Sequence, residues 1–282
     1  MSFENVKINY KPEFKYTELD TGITMSHVEL GPENGENIVL IHGAIDSFLS
    51  FSQVGSYLAS LGYHVYLPEM RGHGHTEKPD GVYSFTALAE DIKNWSDKTG
   101  LKKAIYGGHS LGSMVVQYLA AKYPEMVKAT VLLSTGYQLS GPALEYVLDG
   151  DEDFPGLRNT DSLSREWIRE YVGAPNKDLL FNSETFEATC RLPYSTWYSA
   201  FTGSENMDTA DLLPDIKCPV LIIWGSEDEF FDRDAQNYIL THVGSDHVLF
   251  LEKNGYTHDL HWCDDLGKEI TSDIDRFIRE NL

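Results

Sequence analysis

The stretch that decides the fold is Gly107-Gly108-His109-Ser110-Leu111-Gly112-Ser113. It follows a short apolar run at Lys103–Tyr106 and opens a segment with helical spacing of apolar residues, Ser110–Tyr123. Residues 108–112 match the pattern G-x-S-x-G, in which a serine occupies a sharp turn between a strand and a helix. Glycines are needed two residues either side of the serine because side chains there would clash. The pattern predicts that Ser110 is a nucleophile; the alternative is a glycine-rich turn in which Ser110 caps the helix.

Strands and helices alternate on both sides of this turn. Unbroken apolar runs are typical of strands buried on both faces of a parallel sheet. Such strands separated by helices of about 10–15 residues predict βαβ units. We therefore expect an α/β fold with a mostly parallel central sheet and helices on both faces. The runs are Asn37–His42, His64–Pro68, Lys103–Tyr106, Val127–Ser134, Val220–Trp224 and His247–Leu251.

One long interval interrupts this alternation. Between Ser134 and Pro219 the chain has no buried-strand run, and it is acidic and rich in aromatic residues. Long structureless loops are rare in compact domains, and Leu163–Val172 and Ser183–Cys190 have helical patterns. We predict a helical cap at residues 137–213, inserted in a core formed by residues 1–136 and 214–282; a plain extra helical layer is the alternative. The cap carries 14 acidic against five basic residues, which either select cationic substrates or face solvent.

Composition excludes several classes of partner. The 282 residues include 22 Lys+Arg and 44 Asp+Glu, a formal charge of −22. Nucleic acids and anionic membranes are bound through basic residues, so neither is an expected partner. No segment reaches the roughly 18 apolar residues of a membrane span. The first residues lack the apolar region of a secretory signal, and three scattered cysteines suggest neither disulfides nor a metal site, so we expect a cytoplasmic protein. The oligomeric state is left open.

Five motifs, in order along the chain, resemble those of α/β-hydrolases with a cap domain. The resemblance covers nearly the whole chain outside the predicted cap, and it implies a serine-nucleophile member similar to esterases and lactonases. One departure is Cys263, where many relatives carry Glu. The motifs are His42-Gly43-Ala44, Arg71-Gly72-His73-Gly74, Gly108-His109-Ser110-Leu111-Gly112, Trp224-Gly225-Ser226-Glu227-Asp228 and His258-Asp259-Leu260-His261-Trp262.

A nucleophilic serine needs a base, and the base needs an orienting carboxylate. In this fold the chain order is serine, acid, histidine. Asp228 matches the family's acid position, and the other position that can hold the acid, Thr135–Gln138, has no carboxylate. Among the ten histidines, His258 and His261 follow the last strand, and the resemblance favours the first as the base. The predicted catalytic residues are therefore Ser110, Asp228 and His258.

The surrounding site residues are also predicted. Two backbone N–H groups must hold the oxyanion of a tetrahedral intermediate, one from the residue after the nucleophile and one from the loop after an earlier strand. These are Leu111 and, by resemblance, Ala44. Four side chains are expected to contact the substrate, although the two histidines are as readily explained as shaping their turns: His42, His109, Trp167 and Trp197.

A serine at this turn, rather than the aspartate of dehalogenases and epoxide hydrolases, implies acyl transfer. We therefore expect hydrolysis of a carboxylic ester or lactone of a moderately bulky small molecule, with no metal or cofactor. Two alternatives stay open. One is a carbon–carbon bond hydrolase, cofactor-free perhydrolase (haloperoxidase) or hydroxynitrile lyase on the same triad. The other is a small-molecule receptor of hydrolase ancestry with slow turnover.

Overall fold

The computed structural model describes residues 3–81, 83–139, 141–172, 176, 178–205 and 207–282. Eight strands form one sheet in the order β1-β2-β4-β3-β5-β6-β7-β8. The pairs β1–β2 and β2–β4 are antiparallel and the others are parallel. This confirms the predicted α/β class. The strands are β1 (Lys15–Glu18), β2 (Thr24–Leu30), β3 (Asn37–Ile41), β4 (His64–Pro68), β5 (Ala104–His109), β6 (Val127–Leu133), β7 (Val220–Gly225) and β8 (Val248–Lys253).

Helices cover both faces of the sheet, which explains the unbroken apolar runs. Successive side chains of a strand point to opposite faces, and all four side chains of Ile38–Ile41 in β3 are at most 1% exposed. The helices are α1 (Ser52–Ser60), α2 (Phe85–Lys98), α3 (Leu111–Lys122), α4 (Pro142–Asp149), α5 (Arg165–Val172), α6 (Leu179–Cys190), α7 (Tyr194–Ser204), α8 (Arg233–His242) and α9 (Asp264–Asn281).

Helices α4–α7 lie between β6 and β7, within the range predicted as a cap. Residues 140, 173–175, 177 and 206 of that range lie outside the described residues. Helix α6 begins four residues before the predicted Ser183, because the Asp178 carboxylate caps it by accepting from the N–H of Leu180 at 2.9 Å and of Phe181 at 3.3 Å. Helices α4 and α7 were not predicted. The division of the chain into core and cap stays a prediction.

The register of the parallel strands brings their carboxyl ends to one edge of the sheet. Ile41 of β3 pairs with Gly108 of β5, and Gly108 pairs with Leu132 of β6. Leu133 in turn pairs with Ile223 of β7. The segments that follow these four strands therefore start next to one another, which is where ligands bind in open α/β sheets.

Candidate active site

Ser110 lies on a strained turn between β5 and α3. Its φ of 51° and ψ of −121° belong to a region that residues other than glycine rarely adopt. A Cβ on Gly108 would lie 2.4 Å from the carbonyl carbon of Gly112, and one on Gly112 would lie 2.2 Å from the Ile41 oxygen. Both positions therefore require glycine. Ser110 occupies the N-cap position of α3, but its side chain makes no capping hydrogen bond.

His258 and Asp228 form a buried hydrogen-bonded pair. The Nδ1–H of His258 donates to Asp228 Oδ1 at 2.9 Å. The same oxygen accepts from the backbone N–H groups of Phe230 at 2.9 Å and Phe231 at 3.0 Å, which fixes the carboxylate. Among the described residues no hydrogen bond occupies His258 Nε2 or Ser110 Oγ. A proton acceptor and a hydroxyl are thus both left available.

The surroundings of His258 are predominantly anionic. Burial alone lowers the pKa of an imidazole, but the charge and hydrogen bond of Asp228, with the charges of Asp259 and Glu229, outweigh burial and raise the pKa of His258 to about 9. The nearby rings of His109 and His261 are neutral at pH 7. Burial and the neighbouring imidazoles lower the pKa of His109 well below its usual value, and burial with the His258 charge lowers that of His261 to about 3.

One cavity of about 220 Å³ brings most of the predicted site residues together. Ser110 and His258 line it, as do Ala44, Leu111 and His109. Asp228 is not part of the lining, because its carboxylate is fully buried behind the imidazole. Most of the remaining wall is apolar: Met114, Leu139, Val147, Val172, Phe201, Met207, Phe230, Phe231 and Trp262 are among its members.

The loop after β3 carries Ala44, one of the two residues predicted to hold the oxyanion. Among the described residues, the N–H groups of Ala44 and Leu111 have no hydrogen-bond acceptor. The next residue, Ile45, has a φ of 64°, an outlier for a β-branched side chain. Its N–H donates to Nε2 of His73 at 3.0 Å, and His73 Nδ1–H donates to the Arg71 carbonyl at 2.8 Å. The loop is thereby held in a strained conformation.

His42 lies behind this wall and does not line the cavity. Its Nδ1–H donates to the Gly43 carbonyl at 2.7 Å, and its Nε2 accepts from the N–H of Met70 at 3.0 Å. Burial lowers its pKa to about 4, so the ring is neutral at pH 7. The structure therefore places His42 where it joins two loops, away from substrate.

Trp167 and Trp197 also lie outside the lining. Trp197 is fully buried, and Tyr171 and Phe201 pack against it with ring centroids 5.2 Å and 6.4 Å away. Those two rings reach the cavity in its place. The aromatic composition of the segment signalled a wall, but which rings face inward depends on how the helices pack. A small side chain, Ala200, sits one residue from Phe201 and is itself buried.

Sequence reasoning missed three carboxylic acids in the lining: Asp46, Glu229 and Asp259. All three belong to loops of the sheet, and no acidic residue of 137–213 is among the described lining residues. Burial raises the pKa of Asp46 to about 8 and that of Asp259 to about 6. The available signal was proximity along the chain, because each lies within two residues of a predicted site residue.

Residues 36–265 match the family described as alpha/beta hydrolase fold, and the chain belongs to this family. A hydrolase-superfamily protein of Bacillus subtilis, YfhM, is 24% identical over 285 residues, 93% of this chain and 95% of that protein. Lipase 1 of Psychrobacter immobilis is 26% identical over 258 residues, 86% and 78% of the two chains. The enol-lactonase structure from Burkholderia xenovorans superposes with a TM-score of 0.75 at 17% identity, covering 94% and 100%. Other matching proteins are named epoxide hydrolase, esterase and meta-cleavage product hydrolase.

None of the described helices is both long and apolar enough to cross a bilayer. Nor do the described histidine, cysteine and acidic side chains form a group of three placed to hold a metal ion.

Proposed function

We propose that the protein is a serine hydrolase that cleaves a carboxylic ester or lactone of a moderately bulky small molecule. One observation carries this proposal: Ser110, on its strained turn, lines the same cavity as His258, and the Nδ1–H of His258 is hydrogen-bonded to Asp228. The lipase and enol-lactonase names among the matching proteins belong to the same reaction class.

In the proposed mechanism, Nε2 of His258 removes the proton from Ser110 Oγ as that oxygen attacks the carbonyl carbon. The N–H groups of Ala44 and Leu111 bind the developing oxyanion, and Leu111 also opens α3, whose N-terminal dipole favours negative charge. Asp228 stabilises the imidazolium and keeps the proton on Nδ1. His258 then protonates the leaving alcohol. Water, activated by the same imidazole, releases the acid and restores Ser110.

The cavity supports a small substrate. Its volume of about 220 Å³ and its mostly apolar wall suit a small, largely apolar molecule. Helices α4–α7 supply part of the apolar wall, including Val147 and Phe201. We therefore propose that residues 137–213 act as a cap that sets the size and shape of the substrate.

Carbon–carbon bond hydrolysis is the second candidate, since a Pseudomonas hydrolase of 2-hydroxy-6-oxononadienedioate is 28% identical over 225 residues, 74% of this chain and 77% of that protein. That name describes a dicarboxylate. The described lining of this cavity contains three carboxylic acids and neither lysine nor arginine. The described lining therefore offers the two carboxylates of a dianion no lysine or arginine to pair with, so it favours a neutral substrate over a dianion.

A panel assay with covalent labelling tests the proposal. Wild type, Ser110→Ala and the control Ser96→Ala receive p-nitrophenyl esters, lactones, an epoxide and a vinylogous diketone acid. We expect ester or lactone turnover of about 1 s⁻¹ or more in wild type and control, and none above background in Ser110→Ala. Ser96 is a buried serine on α2 bonded to Tyr106, and it does not line the cavity.

Labelling makes the result specific to the residue. A fluorophosphonate should add one adduct to wild type and to Ser96→Ala, mapped by peptide mass to Ser110, and none to Ser110→Ala. Equal hydrolysis by wild type and Ser110→Ala would refute the mechanism. Labelling of Ser110 without steady turnover of any member of the panel would favour the slow receptor.

A further inference from the structure

The backbone carbonyl of His258 is one of the points at which the loop carrying this residue is held; the N–H of His258 also donates to Glu229 Oε2 at 3.2 Å. Ser134 Oγ–H donates to the carbonyl oxygen of His258 at 2.6 Å, and His109 Nε2–H donates to it at 3.1 Å. Both hydrogen bonds are buried. A carbonyl oxygen has two lone pairs, so the two donors satisfy it fully.

His109 directly precedes Ser110, so a single side chain connects the nucleophile's turn to the carbonyl of His258. A carbonyl can only accept, and therefore Nε2 of the neutral His109 ring carries the proton. The ring is 2% exposed, and among the described residues its Nδ1 has no hydrogen-bond partner. In the described part of the chain, the one hydrogen bond of the ring is therefore the one to His258, while Asp259 Oδ1 lies 3.7 Å from the same nitrogen.

Ser134 makes the corresponding connection from the end of β6. Its φ of 43° lies in the left-handed region, which is strained for a serine and is maintained only when the surroundings enforce it. The N–H of Ser134 donates to the Ile223 carbonyl at 2.9 Å, in the strand that leads to Asp228. Ser134 thus lies between the segments that carry Ser110 and Asp228.

We propose that His109 and Ser134 are positioning residues that aim the His258 imidazole at Ser110 by holding its backbone carbonyl. The inference rests on the proposed function. Asp228 holds the His258 ring at Nδ1, and Ser134 and His109 hold the backbone carbonyl of the same residue. The side chain of His258 is therefore constrained both at its ring and at its backbone. Such constraints matter because a misplacement of about 1 Å can reduce a rate by ~100-fold.

The test uses variants that remove or retain each donor. His109→Phe keeps a ring without the donor, whereas His109→Gln can return an N–H near the position of Nε2. Ser134→Ala removes the hydroxyl, and Ser134→Gly removes it while relieving the left-handed strain, so a loss in this variant is not due to poorer folding. The controls are Ser96→Ala and His27→Phe, a buried histidine on β2 that does not line the cavity.

Two readouts separate positioning from a general loss of structure. We expect kcat to fall about 10- to 100-fold in His109→Phe, Ser134→Ala and Ser134→Gly, with KM changed less than about twofold. The pH midpoint of kcat/KM should move below its wild-type value, because a looser imidazole loses contact with Asp228. His109→Gln should recover most of the activity.

The proton resonance of His258 Nδ1–H provides a readout that needs no substrate. It should shift or broaden in the donor-less variants and stay in place in both controls. Unchanged kcat, pH midpoint and resonance in Ser134→Gly and His109→Phe would overturn the inference, as would equal losses in the controls. If Ser110→Ala retained activity, the proposed function would fail, while the resonance would still decide whether the carbonyl positions the ring.

Discussion

Replacing Asp228 with asparagine gives the most direct measure of the electrostatics of this site. In the structure, one oxygen of the carboxylate, Oδ1, accepts all three hydrogen bonds, from His258 Nδ1–H and the N–H groups of Phe230 and Phe231. The other oxygen, Oδ2, is buried and has no partner among the described residues. An asparagine can therefore keep its carbonyl oxygen on these three donors and place its NH₂ group where Oδ2 lies. The substitution then removes the charge while preserving the tautomer of His258.

The size of the effect follows from the pKa of His258. This pKa is raised from 6.5 to about 9 in spite of burial, first by Asp228 and then by Asp259 and Glu229. This rise in pKa corresponds to about 3 kcal/mol of net stabilisation of the imidazolium, at ~1.36 kcal/mol per pKa unit. Because the imidazolium forms in the transition state, Asp228→Asn should lower the plateau value of kcat, reached at pH values where the imidazole is unprotonated in both proteins, by about two orders of magnitude. A flipped tautomer would cost more, about 10⁴-fold in serine proteases.

The assay is the pH dependence of kcat/KM for the best ester of the panel. A base must be unprotonated, so wild-type kcat/KM should rise with pH and level off above about 9. In Asp228→Asn the rise should move to lower pH, since burial still lowers the pKa of the ring while the largest contribution that raises it is gone. Thermal unfolding of the variant is the control for the buried NH₂ group, which should lower the free energy of unfolding by about 1–3 kcal/mol. A midpoint near 9 in both proteins, or an undiminished kcat, would refute the reasoning.

Two further substitutions probe the same region. Gly112→Ala places a Cβ 2.2 Å from the Ile41 carbonyl oxygen, so we expect loss of ester hydrolysis and a lower melting temperature; wild-type activity would show that the two segments can separate. Asp259→Asn removes a smaller contribution to the raised pKa of His258, so the midpoint of kcat/KM should fall by less than in Asp228→Asn. An upward shift of that midpoint in pH titrations would contradict the prediction that the charge of Asp259 raises the pKa of His258.

The position of acidic residues around the cavity is where the structure differs most from the expectation based on the sequence. The acidic residues of 137–213 raised the idea of a cap that selects cations, yet the described cavity lining takes its carboxylic acids from the loops that carry Ala44, Asp228 and His258. The number of acidic residues in a segment does not tell which way their side chains point, because a helix presents acidic side chains to solvent and apolar side chains to the interior. Within that lining, burial raises the pKa of Asp46 and of Asp259.

The sequence by itself determined the fold class, the turn at Ser110 and the candidates Asp228 and His258. The fold class and the turn depend on local physics, namely strand and helix periodicity and glycines that alone fit a tight turn, whereas Asp228 and His258 came from the resemblance to the motifs of the family. Only the tertiary structure decided that Tyr171 and Phe201, rather than Trp167 and Trp197, line the cavity. It also decided that the side chains of Ser134 and His109 meet at the carbonyl of His258. Contacts of this kind join residues more than a hundred positions apart, and they follow from the packing of whole elements, which no local pattern encodes.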